Sequence, residues 1–388
     1  MLTHIIGWAH TRFGKLEHET LESLTRRVAR DAISHAGLEP TDIDEIVIGH
    51  FNQGMDPQGF PASLALEADR DLRFKPATRV ENACATGSAA VRHGVMAINA
   101  GHARTVLVIG IEKMTASPAE DVRRALLSAS YVAEEGTAGA SFARLFAHIA
   151  ETYFQRHGDQ SDVLAHIAAK NHRNGALNPL AHMRKDLGYE FCATVSDQNP
   201  YVAPPLRRTD CSMVSDGAAA LVLCREEAAS VVPFSVGIRA IAQANDFLPM
   251  SRRDMTRFEA ASTAWQNALR EAKLGLQDLD FVETHDCFTI AELIEYEAMG
   301  LTPAGQGRRA VLEGWTTPEG RLPVNLSGGL KAKGHPIGAT GVSMHVMSAM
   351  QLTGNAAGFQ LPSARLAGVF NMGGAAVANY VSILERTR

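Results

Sequence analysis

The sequence sets out one structural plan twice, and a chain that repeats its landmarks in order is constrained to fold as two related units. An apolar helical pattern ending in Ala36, Gly37 and Leu38 leads through Asp42, Ile43 and Asp44 into a strand pattern from Glu45 to His50. The passage recurs where Ala268 to Leu276 leads through Asp278, Leu279 and Asp280 into Phe281 to His285. Ala85-Thr86-Gly87 opens a helix in the first half and Ala339-Thr340-Gly341 opens one in the second, each followed by a strand-like run, Thr105 to Gly110 and Leu366 to Phe370. Four landmarks in the same order are hard to obtain by chance. Continuous apolar strands alternating with longer helices predict α/β halves with mainly parallel sheets, covered by helices on both faces.

At 388 residues, 46% of them hydrophobic, the chain is too long for one ordinary core. Residues 1–114 with 210–230 are expected to form the first half and 231–388 the second. Between them, 115–209 is richer in Arg, Lys, His, Asn and Pro and reads as an inserted, loop-rich excursion. Ser215-Asp216-Gly217 and the run to Cys224 read as a small-residue turn and a buried strand completing the first half.

A formal net charge of -5 gives no global attraction to nucleic acid or anionic membrane, so neither is expected as a partner. Cysteines 84, 192, 211, 224 and 287 lack paired metal-type spacing and are too sparse for a disulfide framework, which fits a reducing compartment and implies no metal. The N-terminal residues Met1 to Gly7 have no basic, long-apolar leader pattern, and no apolar run reaches the roughly 20 residues that span a bilayer. The last residues, Leu384 to Arg388, lack a Ser-Lys-Leu address. A cytoplasmic location is expected.

Cys84 sits between a strand and an amphipathic helix marked by Val91, Val95 and Ile98. The free N–H groups and positive dipole end of that helix favour a thiolate, and lowering a thiol pKa by about two units corresponds to roughly 2.7 kcal/mol. The alternative is a small, unreactive core cysteine. The glycine-rich stretch Asn325 to Gly341 demands tight turns but lacks the GxxxxGK[ST] order of a phosphate cradle. His335, held between Gly334 and Pro336, suits acid–base or oxyanion work. Duplication puts His335 and Cys84 at equivalent helix-start turns, facing each other across a pseudo-twofold. His285-Asp286-Cys287 follows a strand end, where α/β proteins place their sites. There the alternative is a helix capped by Asp286 or Thr289 with Cys287 buried.

Asn82 to Ser88, His285 to Phe288, Gly334 to Gly341 and Asn371 to Ala375 together resemble the four active-site loops of the thiolases, over essentially the whole chain. The resemblance implies the thiolase fold, two duplicated α/β halves in a five-layer αβαβα arrangement. It implies Cys84 as the nucleophile that carries the acyl group, and CoA and acyl-CoA as substrates without a permanently bound cofactor. Many thiolases have NEAF where this chain has His285-Asp286-Cys287-Phe288, and Cys-x-Gly where it has Asn371-Met372-Gly373. The HDCF form is similar to the sterol-carrier-protein-type thiolases, so Cys287 inherits the acid–base role and Asn371 loses it. His335 with His285 would form one oxyanion hole, and the backbone N–H groups of Cys84 and Gly373 the second. CoA phosphates require a cationic rim, with Lys331, Lys333 and basic residues of 115–209 as candidates. A homodimer or homotetramer is implied, and the need for an OB-fold and zinc-ribbon partner protein stays open. No sterol-carrier segment follows the thiolase-like region, so lipid transfer is not expected. The rivals are a related 3-oxoacyl or HMG-CoA synthase, a retro-aldolase, a non-catalytic acyl-CoA binder or scaffold subunit, and an unrelated Cys-His hydrolase. Retention of both Cys84 and Cys287 favours acyl transfer.

Overall fold

The computed structural model describes residues 2–229 and 233–388. The expected division between residues 230 and 231 lies outside them. The first half contributes β1 (Thr3–His10), β2 (Glu45–Gly49), β3 (Ala77–Val80) and β4 (Thr105–Glu112). A small hairpin, β5 (Tyr201–Ala203) with β6 (Leu206–Arg207), precedes β7 (Gly217–Arg225), the buried strand that closes this half. The second half supplies β8 (Val236–Asn245), β9 (Phe281–Glu283), β10 (Leu366–Gly373) and β11 (Ala378–Arg386).

The strands form one sheet in the order β3-β2-β4-β7-β1-β8-β11-β10-β9. Read outward from the β1–β8 junction, the first half runs β1-β7-β4-β2 and the second β8-β11-β10-β9, so duplicated segments occupy duplicated places. Outside β2 lies β3, paired in parallel; outside β9, among the described residues, a single bridge from Val282 to Val324 holds that position. Mainly parallel pairing was the expectation, and it fails. Among the described residues five of the eight neighbouring pairs in this sheet are antiparallel. Each half turns its last strand back between the parallel part and its first strand, which a βαβ reading of the apolar runs does not reveal.

Two inner helices, Thr86–Asn99 and Ile337–Leu352, pack against each other between the halves. The second is buried along almost its whole length, as a helix with sheet or helix on every side must be. Leu21–His35 covers the first half from outside and Glu259–Ala272 the second. The inner helices meet at the two glycines of the repeated Ala-Thr-Gly. A Cβ on Gly87 would lie 2.6 Å from the backbone nitrogens of Gly341 and Val342, so only glycine permits the contact.

Residues 115–209 are not loop-rich. They contain the helices Phe142–His157 and Ser161–Leu177, of 16 and 17 residues. Phe146, Ile149 and Tyr153 on one, and Val163, Leu164 and Ile167 on the other, are buried at helical spacing. The polar residues that suggested loops lie mostly between these positions, and composition averaged over the segment hides the period.

Candidate active site

Cys84 lies two residues before the first inner helix, on a turn entered through Ala83 at φ 49°. The preceding β3 is a half-buried edge strand. The thiol is 4% exposed, and burial pushes it up to about 12. The backbone N–H groups of Gly374 and of Cys84 itself oppose this, while Glu112 and Glu81 add to it. The expected helix-start thiolate is therefore overturned for the resting site: desolvation outweighs the dipole. The N–H against the Cys84 sulfur belongs to Gly374, next to the Gly373 expected as an oxyanion donor.

His335 starts the matching turn of the second half. Its Nδ1 lies 2.7 Å from Thr340 Oγ1, and that hydroxyl donates to the Pro336 carbonyl at 2.9 Å. One hydroxyl proton cannot serve both, so Nδ1 of His335 carries the hydrogen and Nε2 keeps its lone pair. Burial, and then the Lys333 ammonium, lower His335 to about 3. The resting pair is thiol and neutral imidazole. The alkylation rate of Cys84 by iodoacetamide in the free enzyme should rise about tenfold per pH unit from 7 to 9. A plateau near pH 7 would reveal a standing thiolate–imidazolium pair instead.

His285 is fully buried, its ring edge-on to that of His335 at 5.1 Å between centroids. One ring nitrogen of each histidine and the Cys84 sulfur lie within 4.8 Å of one another. Burial, then His335 and Lys333, hold His285 well below the usual imidazole range. After β9 the N–H of Asp286 bonds the Thr284 carbonyl and that of Cys287 the His285 carbonyl, two tight turns in succession. Cys287 emerges beside Cys84, its thiol pushed well up by burial and by the other sulfur.

Asp286 is the anchor of this loop, not a helix cap. Its carboxylate accepts from the backbone N–H of Leu330 at 2.6 Å and of Lys331 at 3.1 Å, and from Asn171 Nδ2 at 2.7 Å. Thr289 bonds Asp210 at 2.8 Å. The helix Thr289–Ala298 starts without a side-chain cap. A second anchor, Glu112 at the end of β4, accepts from the N–H groups of Phe51, Asn52 and Gly338 at 2.9 to 3.0 Å. It ties the turn after His335 to the first half, and a lone acid closing an apolar strand carries no sequence signal of that task.

Lys331 and Lys333, candidates for a phosphate rim, are 3% and 1% exposed. Lys333 Nζ donates to Ser343 Oγ at 2.9 Å. Both ammonium groups are interior, and the rim assignment is withdrawn. The turn Gly329–Lys333, part of the glycine-rich stretch, holds both lysines buried.

Cys84, Cys287 and His335 line one cavity of about 280 Å³, whose other walls include Met114, Val122, Leu126, Phe142, Phe288 and Val202. His285 stands behind this wall. Among the described residues none of the lining side chains is a carboxylate. With Cys211 also in the wall, three thiols and an imidazole in a mostly apolar chamber equip an enzyme that carries acyl groups on sulfur.

The duplicated fold and this chamber are those of the thiolases, and the chain belongs to the thiolase family. The family model described as thiolase, N-terminal domain, matches residues 3–187, and thiolase C-terminal domain-like matches 242–386. The acetyl-CoA acetyltransferase of Methanothermobacter thermautotrophicus is 36% identical over 384 residues, 98% of this chain and 99% of that one. Sterol carrier protein 2 of Bos taurus is 30% identical, over 95% of this chain and 69% of that protein. In fold, the chain is similar to an Ltp2-ChsH2(DUF35) aldolase, TM-score 0.86 at 21% identity over 100% of this chain and 98% of that one. It is also similar to the Bacillus anthracis acetyl-CoA acetyltransferase, TM-score 0.76 at 18% identity over 99% and 98%. The protein is a thiolase-type acyltransferase. No helix of the described residues is long and apolar enough to cross a membrane.

Proposed function

We propose that the protein cleaves 3-oxoacyl-CoA with CoA, or runs the reverse Claisen condensation, through an acyl group on Cys84. The observation that carries this reading is the meeting of Cys84, Cys287 and His335 in one apolar cavity. As the sulfur adds to the 3-keto carbon, the thiol proton passes to Nε2 of His335. The charges that arise are close together and stabilise each other, so the transfer belongs to the attack step. The C2–C3 bond breaks, leaving acyl-Cys84, and the Cys287 thiol protonates the acetyl-CoA carbanion. The Cys287 thiolate then takes the proton of incoming CoA, whose sulfur removes the acyl group from Cys84, and His335 returns its proton to the Cys84 sulfur that leaves. Exchange of one thioester for another is nearly isoenergetic, which makes the path reversible.

In this scheme the oxyanion of the departing thioester is held by the N–H that His335 gains at Nε2, with His285 behind it. The tetrahedral oxygen at the acylated sulfur faces the backbone N–H groups of Cys84 and the Gly373–Gly374 turn. His335→Ala, still folded by circular dichroism, is expected to lose about 10²- to 10³-fold in kcat; near-wild-type turnover would remove His335 from the scheme. The direct test is CoA-dependent cleavage of acetoacetyl-CoA and a longer 3-oxoacyl-CoA, with products weighed. Two acyl-CoA products support the reading. Loss of substrate without CoA would favour hydrolysis, and binding without turnover a non-catalytic subunit. The proposed assembly is a homodimer or homotetramer, with the inserted segment at 115–209.

A further inference from the structure

We infer that Asn371 fixes the tautomer of His285, making its free Nε2 a hydrogen-bond donor toward the Cys84–His335 cluster; the inference rests on the thiolase reading of this site. Asn371 stands on β10 where the thiolase pattern has the cysteine of Cys-x-Gly, a substitution that left it without a role in the sequence. Its amide Nδ2 lies 3.1 Å from the Cys84 carbonyl oxygen and 2.8 Å from Nδ1 of His285. The amide carries two hydrogens, one for each contact. Rotating it would bring an amide oxygen against the Cys84 carbonyl oxygen, two acceptors face to face, so that carbonyl decides the orientation. An N–H aimed at Nδ1 requires Nδ1 to accept. The hydrogen of this neutral ring therefore sits on Nε2.

Nε2 of His285 is buried and has no hydrogen-bond partner among the described residues. An unsatisfied buried donor is costly and uncommon in a folded protein, and one nitrogen of this ring lies within 4.8 Å of the Cys84 sulfur, where negative charge arises in the reaction. The opposite tautomer would put a lone pair on Nε2 instead. With the lone pair of His335 and the Cys84 thiolate it would also make a sulfur–nitrogen–nitrogen set suited to a soft divalent ion. Asn371 thus serves as a positioning residue that makes the cluster an anion site and a poor metal site.

Asn371→Asp inverts the bond. A carboxylate accepts from Nδ1–H, and a histidine so held offers Nε2 as a metal ligand. The expected result is a fall in kcat of about 10²-fold with little change in KM, together with Zn²⁺ inhibition at concentrations at least about 10-fold lower than for wild type. Co²⁺ added to the variant should give thiolate-to-metal absorption that is absent when Cys84 is also replaced. Asn371→Ala should lose activity without gaining Zn²⁺ sensitivity. The inference is overturned by Asn371→Asp turning over within twofold of wild type, or losing activity with unchanged Zn²⁺ and Co²⁺ response. Long-range ¹H–¹⁵N spectra of wild type, with His285 assigned by its loss in His285→Asn, decide the matter without the Asp variant. Hydrogen on Nε2 supports the inference and hydrogen on Nδ1 refutes it. If wild type cleaves no 3-oxoacyl-CoA, the thiolase reading fails, while the spectra still decide the tautomer.

Discussion

Cys84→Ala should abolish cleavage, lowering turnover by at least about 10⁴-fold, and should take up no acyl group when mixed with acetyl-CoA. Cys287→Ala should lose cleavage to a similar degree yet still become acetylated at Cys84. The asymmetry follows from the leaving groups. Acetyl transfer from acetyl-CoA expels a thiolate, which departs without an acid, and the Cys84 proton has His335 to receive it. Breaking a C–C bond expels a carbanion, which needs a proton delivered at carbon, and Cys287 shares the cavity wall with Cys84 and stands close enough for the two sulfurs to interact. Intact-protein mass after incubation, followed by peptide mapping, separates the roles. Acetylation of Cys84→Ala at Cys287, or failure of Cys287→Ala to acylate at all, would reverse or merge the assignment.

The parts of this site legible in the sequence were those that spacing and duplication record. Cys84 and His335 were expected at equivalent turns facing each other, and one nitrogen of His335 lies within 4.8 Å of the Cys84 sulfur. The protonation states were misjudged because a helix start is a local feature, whereas the desolvation that overrides it comes with packing among Phe51, Met114, Val122 and Ile337, residues distant in sequence. Lys331 and Lys333 were misplaced for a related reason: lysine is rarely buried, and only the inward fold of Gly329–Lys333 shows otherwise. Asp286 invited a capping reading because an acid ahead of a helix usually caps it. Its real partners, Leu330 and Lys331, are 44 and 45 residues away. Asn371 was set aside because its importance lies in which atom it donates to, which pattern alone does not encode.

Gly87→Ala is expected to lower stability by at least about 3 kcal/mol and, in whatever fraction stays folded, to cut kcat sharply, although residue 87 does not line the cavity. Alanine is the better helix former by about 0.8 to 1 kcal/mol, so any loss is net of that gain. The added methyl would stand 2.6 Å from two backbone nitrogens and 2.8 Å from the Gly341 Cα, all on the opposing inner helix. Backbone cannot rotate aside as a side chain can, so the helices must separate, at or beyond the upper end of ordinary overpacking costs. Those helices start the two turns that carry Cys84 and His335, and a displacement of about 1 Å between reacting groups can cost about 10²-fold in rate. Gly94→Ala, on the same helix, is the control. Its methyl would meet Val108 Cγ2 at 2.9 Å and Leu223 Cδ1 at 3.0 Å, side-chain atoms free to shift, so it should cost less and leave kcat nearly intact. Thermal melting and initial rates on both variants test the argument. Equal losses would mean that general crowding of the helix sets the cost; a Gly87→Ala protein with wild-type melting and turnover would mean that the close crossing of the inner helices does not hold the two halves of the site in register.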